Sequence, residues 1–282
     1  MFNKCRLLLI ITLLVLSLAP YNNAQSKDYI AIIPPLHSRQ EIGSTESPIQ
    51  LSHLEFIVFV YRNAAAVYME SDFINNSEDS LTQELSLPST GHDENGQEYG
   101  GRISNGILSI QLWIEDERVV PEFVQDGNEQ WYTIQTEFPP HENRKVKALF
   151  WAETSLTDVD SIPGLDTTII IEGQRGFLIN LAHASVWNNV IHSIDTYIVL
   201  NDGISVNSDY LKAEPESFEL NNSTLIWSMN EIEPSEDDNI ELSYESGNSS
   251  NTSLNTMEKL SSFIIKEAYD QLLNYANQIN EE

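Results

Sequence analysis

The residue types able to carry chemistry are scattered along this chain rather than gathered into a motif. The six histidines, His37, His53, His92, His141, His183 and His192, include no His-x-x-x-His or His-Glu-x-x-His pair, the spacings by which a helix turns two imidazoles toward one zinc ion. There is no Gly-x-Ser-x-Gly turn to raise a nucleophilic serine, and no glycine-rich phosphate loop or dinucleotide fingerprint. His183 and His192 share one short segment with Trp187 and could face a common cleft, which makes these three the binding candidates. His92-Asp93-Glu94, in a glycine-containing stretch, is a further one. Calcium takes carboxylate and carbonyl oxygens from loops. Two acid clusters have that character, Asp158, Asp160 and Asp166, and Glu236-Asp237-Asp238. Neither matches the Asp-x-Asp-x-Asp-Gly pattern, and the plainer reading is turn acids facing water. A glycosidase needs two carboxylates about 5 to 10 Å apart; among 43 acidic residues some pair meets that by chance, so no catalytic residue and no cofactor other than calcium is named.

The charge balance narrows the partners. Fourteen Lys and Arg against 43 Asp and Glu leave a net charge of −29. Such a surface repels nucleic acid backbones and anionic lipid heads and favours cations or basic partners. Dense acids also keep an exported protein soluble, which is the simpler explanation.

The first residues run from basic (Lys4, Arg6) through the apolar Leu7–Leu18 to the polar Tyr21–Gln25. That is the layout of a secretory signal peptide over residues 1–24, cut after Ala24. The apolar run falls short of the roughly 20 residues a membrane span needs, so no membrane insertion is expected after cleavage, and the protein is expected to be secreted or periplasmic. The one cysteine, Cys5, precedes the apolar run and leaves with the signal. Stability must then come from packed cores rather than disulfides.

The elements that must position any site read as β. Leu54–Tyr61 is apolar on both sides of the chain, as in a strand buried on both faces. Ala64–Asn75 alternates with a period of two, and further strands are expected at Gln83–Leu87, Ile107–Ile114, Val119–Val124, Trp131–Thr136 and Lys145–Ala152. Turn residues between short strands mark an antiparallel sandwich. The stretch Thr157–Asp166, with Pro163-Gly164, is the expected boundary between a first β-sandwich domain at 27–156 and a second at 165–246. Asp195–Tyr244 reads as four or five strands of that second unit. Ala182–Ile191 fits either a strand or a turn of helix. Trp113, Trp131, Trp151 and Trp227 fall within expected strands, where core packing suits them. After the polar linker Ser246–Asn255 the period changes to that of a helix over 256–280, with Met257, Leu260, Ile264, Leu272 and Ile279 on one side and Asn255 and Glu258 as a capping-box-like start. That helix packs back on a sandwich, pairs with a second chain or lies apart.

Four Asn-x-Ser/Thr acceptor patterns begin at Asn75, Asn222, Asn248 and Asn251, and the bacterial character of the export signal argues against their use. Several short sequences together resemble a known group. They are Phe73-Ile74-Asn75-Asn76, Leu85-Ser86-Leu87-Pro88, Trp113 to Pro121, Phe138-Pro139-Pro140-His141-Glu142, Phe177 to Trp187, and Trp227 to Pro234. Over Ile49 to Tyr244 the chain is similar to a family of bacterial secreted proteins known as a domain of unknown function, with tandem β-sandwich-like domains. That resemblance implies export and a β fold, and it brings no catalytic residues.

The expected fold is therefore mainly β, two antiparallel β-sandwich domains in tandem with a C-terminal amphipathic helix. The expected role is an exported, non-enzymatic module that binds a protein or glycan partner, or lends structure, at the cell envelope, with the C-terminal helix as a means of forming oligomers. The alternatives are a carbohydrate-active or other hydrolase with an acid pair in an interdomain cleft, and a calcium-stabilised adhesion-type domain.

Overall fold

The structure, a computed structural model, describes residues 31–38, 48–61, 64–89, 107–126, 129–156, 159–161, 168–170, 174–187, 190–201, 204–208 and 211–245. The segments 1–24 and 256–280, expected as signal and helix, lie outside them, as does His92. After the short β1 (Ala31–Ile33), β2 (Ile49–Val60) and β3 (Ala64–Asn75) form a long antiparallel pair. β4 (Leu81–Pro88) crosses to a second layer; β5 (Ile107–Ile114) and β6 (Glu117–Val119) return as a hairpin. β7 (Glu122–Asp126) and β8 (Glu129–Phe138) complete a three-stranded sheet with β4, and β9 (Asn143–Glu153) inserts between β3 and β5.

The second half continues with β10 (Ser155–Leu156), the β11 (Val159–Ser161) and β12 (Thr168–Ile170) hairpin, and β13 (Gln174–Ile179). A 3-10 turn, Leu181–Val186, leads to β14 (Ile191–Leu200). Then come β15 (Lys212–Glu214), β16 (Glu219–Asn221), β17 (Thr224–Ile232), a 3-10 turn at Glu236–Asp238 and β18 (Ile240–Glu245). Asn222, at φ 56°, makes the tight turn between β16 and β17, a conformation that Asn tolerates. The mainly β reading holds. Among the described residues no helix is long and apolar enough to cross a membrane.

The division into two tandem domains is corrected by the pairing. One eight-stranded sheet runs β16-β17-β14-β2-β3-β9-β5-β6 and draws on both expected units. β14 lies parallel to β2 from Ser193↔His53 to Leu200↔Val60, and β1 pairs in parallel with β13. The sheets are thus mixed, not purely antiparallel. The physical reason lies in β2. A strand apolar on both faces is stable only with both edges hydrogen-bonded inside a sheet; β3 takes one edge and β14 the other. The five strands expected in Asp195–Tyr244 are all present but divided: β14, β16 and β17 join the large sheet, whereas β15 and β18 join β1, β10 and β13.

The core forms between the eight-stranded sheet and the three- and five-stranded ones. Leu54, Phe56 and Val58 of β2, Val67, Met69 and Phe73 of β3, and Val146, Ala148 and Phe150 of β9 face Leu85, Phe138, Phe177, Ile179, Leu242 and Tyr244 in one continuous cluster. Each such side chain contributes about 1.5–3 kcal/mol by leaving water. Phe73 locks the layers by meeting Phe138 edge-on at 5.9 Å and Trp187 at 4.8 Å. Asn75 ties the end of β3 down, donating from Nδ2 to the carbonyls of Asp79 and Phe138 at 2.8 Å each. With both of its amide hydrogens so used, it serves the fold rather than a glycan.

Candidate functional site on the outer face of the large sheet

Successive residues of a strand point to opposite faces, so the residues between those of the core lie on the outer face. The register arranges them in rows across β14, β2, β3 and β9. Ser193, His53, Asp72 and Lys145 form the first row; Asp195, Glu55, Glu70 and Lys147 the second. Tyr197, Ile57, Tyr68 and Leu149 form the third, followed by Val199, Phe59, Ala66 and Trp151. At about 4.8 Å between strands, each row is roughly 14 Å wide. A bulge at Ser52, whose Oγ donates to the Asp72 carbonyl at 3.0 Å, shifts the register between Leu51 and His53. That shift sets the polar residues of β2 on the outer side while Leu51 and Leu54 both stay buried.

The first two rows carry a compact ionic cluster. Glu70 is buried, which opposes its ionisation, but hydrogen bonds from Lys145 Nζ and from Tyr68 Oη at 2.7 Å outweigh burial and hold its carboxyl below the usual range. Burial works against the Lys145 ammonium as well, yet Glu70, and Asp72 at 3.9 Å, raise its pKa. Burial raises the Asp72 carboxyl. Glu55 is only 7% exposed, and no described residue hydrogen-bonds to its carboxylate. Burial first, then the charges of Glu70 and Asp195, push it up to about 7. Around it, His53 Nδ1 lies 2.6 Å from Ser193 Oγ, and Ser228 donates to Asp195 at 2.7 Å. The cluster is therefore one acid that exchanges its proton near neutrality beside another held ionised, in an anionic setting with one ammonium at its centre. Two chemistries suit it: holding a cationic group, and moving a proton.

The residues singled out in the sequence are distributed otherwise. Trp187 is buried in the core, with Nε1 donating to the Leu36 carbonyl at 2.7 Å; this corrects its expectation as a binding residue in a cleft with His183 and His192, because the 3-10 turn before it folds the indole onto Phe73. His183 does not share a cleft with His192. It meets His37 edge-on at 6.2 Å, and His37 lies 5.9 Å from Trp131. Burial lowers the His183 pKa, and burial together with His183 lowers that of His37 to about 4. His192 is exposed on β14 and lies 3.1 Å from Glu231. At Glu236–Asp238 the Asp238 carboxylate accepts from the Ser235 amide at 2.8 Å and its hydroxyl at 2.7 Å, a capping role, while Glu236 and Asp237 face water. Asp160 lies on β11, and Asp158 and Asp166 are outside the described residues. Among the described residues no group of three or more metal-ligating side chains comes together. The outer-face cluster is not among the residues singled out from the sequence, although its signal is present there: Glu55 interrupts the most apolar strand, and Glu70 and Lys145 sit within other strands.

No family model and no curated protein matches this chain. Among solved structures, its fold is similar to that of a provisionally named nutrient binding protein from Legionella pneumophila, with a TM-score of 0.56 and 13% identity over 77% of this chain and 70% of that one. An M1 zinc metallopeptidase from Deinococcus radiodurans aligns with a TM-score of 0.37 and 11% identity over 78% of this chain and 45% of that one.

Proposed function

We propose that this is an exported, non-enzymatic binding module of the cell envelope, which takes an ammonium or guanidinium group of its partner into the Glu55–Glu70–Asp72 cluster. The observation that carries this reading is Glu55, a carboxylate nine-tenths buried that no described residue hydrogen-bonds and on which the attraction of Lys145 is outweighed by burial and by Glu70 and Asp195. A buried acid left in this condition costs the fold stability, and an incoming cation removes that cost. The overall charge of −29 draws cations toward it. The likeness in fold to a provisionally named nutrient binding protein is compatible with a binding role. Export rests on the basic, apolar, polar order of residues 1–24.

Melting of the mature protein with spermidine, with arginine, and with calcium against chelator tests the reading. Binding of the native state alone raises the midpoint, so the amines are expected to raise it in the wild type and not in Glu55→Gln/Glu70→Gln. An amine response that survives both substitutions, or none at all, sinks it. A response to calcium alone moves the calcium-stabilised alternative forward. The hydrolase alternative has its own support in the divergent protonation of Glu55 and Glu70, the arrangement acid–base hydrolysis uses. Turnover of chromogenic glycosides abolished by Glu55→Gln would favour it over binding.

A further inference from the structure

The layer opposite the acidic rows carries a pair of imidazoles that the binding reading does not use. Residues 34–37 run from β1 to the free edge of β4, and their backbone is fixed along the way. Asn180 donates its amide to the Ile33 carbonyl at 3.0 Å, Trp187 its indole to the Leu36 carbonyl at 2.7 Å, and His37 exchanges backbone bonds of 2.9 and 2.8 Å with Ser86. The 3-10 turn that begins after Asn180 then sets His183 beside His37, with ring centres 6.2 Å apart and planes at 74°. Both imidazoles are half-buried. They are presented by held backbone, which is what a pre-organised site requires. His37 Nδ1 is buried without a hydrogen-bond partner, and so is Asn180 Oδ1 at the start of the turn. A buried polar atom left unmet costs the fold stability until something supplies its partner.

We propose that His37 and His183 hold one monovalent copper ion between them. The spacing selects the ion. With metal–nitrogen bonds of about 2 Å and ring nitrogens about 1.1 Å from the ring centre, two imidazoles on one ion have centres about 6 Å apart in a linear bridge and about 5 Å apart at a tetrahedral angle. The observed separation is that of the line. A direct N–H···N bond would likewise draw the centres to about 5 Å. Imidazole suits copper, and closed-shell Cu(I) accepts two nitrogens in a line, whereas structural zinc takes four ligands. Among the described residues no third histidine, cysteine or carboxylate joins the pair to make up such a set. Rings on a linear bridge turn freely about the shared axis, so the 74° between their planes is compatible with it. At neutral pH an ordinary imidazole is mostly unprotonated and offers its lone pair, and the net charge of −29 draws cations toward the protein. The ion is held and not turned over, so no electron transfer is involved. This goes beyond the binding reading and stands whether or not an amine binds elsewhere.

Titration of the full mature chain with Cu(I), kept reduced by ascorbate under argon and in competition with ferrozine, tests the proposal. One equivalent per chain is expected, with X-ray absorption showing two nitrogen neighbours in a line. His183→Gln and His37→Gln should each weaken uptake by at least about tenfold. His183 makes no strand pairing, so its variant carries the test if the His37 variant does not fold. His141→Gln and His192→Gln should take up copper as the wild type does. No stoichiometric uptake would overturn the proposal and assign the space to a bridging water, which fits the same separation at its own bond angle. Uptake unmoved by His183→Gln, uptake lost in the His141 or His192 variant, or a spectrum with sulfur or with three or more ligands would overturn it as well.

Discussion

The inner and outer faces of the large sheet are made by the same strands, yet they hold together in different ways. On the inner face the buried side chains are apolar apart from Asn75 and small hydroxyls, and Ser71 and Thr196 are buried there with their oxygens unpartnered. Stability on that side comes from area removed from water and is insensitive to pH. On the outer face, one end is aromatic and the other holds Glu55, Glu70, Asp72 and Lys145, where stability depends on which protons are bound. The strands impose alternation; what each face does with it is set by the partners across the register. The outer face carries buried charge whose state follows pH, and the inner face of close-packed hydrocarbon does not.

The largest effect should come from the layer junction. Trp187→Ala removes the ring that fills the space beside Phe73 and is expected to cost about 3–5 kcal/mol, seen as a lowered urea midpoint. A loss under 1 kcal/mol would mean that the junction is not the core described here. Next is Lys145→Met, which strands Glu70 and Asp72. Breaking a fully buried pair costs about 3–5 kcal/mol; the Lys145 side chain is 35% exposed, so about 2 kcal/mol is expected, with recovery when Glu70→Leu is added. Absence of that recovery would separate Lys145 from the cluster.

Glu55→Gln sharpens the contrast through pH. The folded pKa of about 7 lies above the ordinary value of 4.5, so the native state keeps its proton longer than the unfolded chain does. The penalty of the ionised form is absent below pH 4.5, grows as pH rises and is complete above pH 7. Glu55→Gln should thus raise the unfolding free energy at pH 8, by up to about 3 kcal/mol, and leave it unchanged at pH 4.5. An equal gain at both would remove the titration argument. His37 has the opposite sign: with its folded pKa lowered to about 4, stability should fall as pH drops from 6.5 toward 4, and His37→Phe should flatten that limb. Smallest of all, His192→Ala, at an exposed ion pair with Glu231, should change stability by less than about 0.5 kcal/mol.

Much of the local structure is legible in the chain. The period-two run Ala64–Asn75 coincides with β3, and Ile107–Ile114 with β5. The two-sided apolarity of Leu54–Tyr61 is visible as burial on both sides of β2. Alternation fixes which residues share a face but says nothing of which strand lies alongside, and so it carries no sign of β14 beside β2. The same limit hid the site: Glu55 and Glu70 face each other only through the β2–β3 register, and Asp195 joins them only through the parallel pairing. Trp187 lies between strands, where no periodicity signals burial.

The parallel seating of β14 against β2 also bears on how the chain is made. A side-chain bond from Gln50 to the Val190 carbonyl closes a separation of 140 residues, so one edge of the central strand stays without a neighbour until most of the protein has been synthesised. Pairings this distant form slowly, and the open edge invites association with other chains in the interval. The nascent chain therefore cannot complete its largest sheet until Ile191–Leu200 has been made, and β2 needs shielding until then.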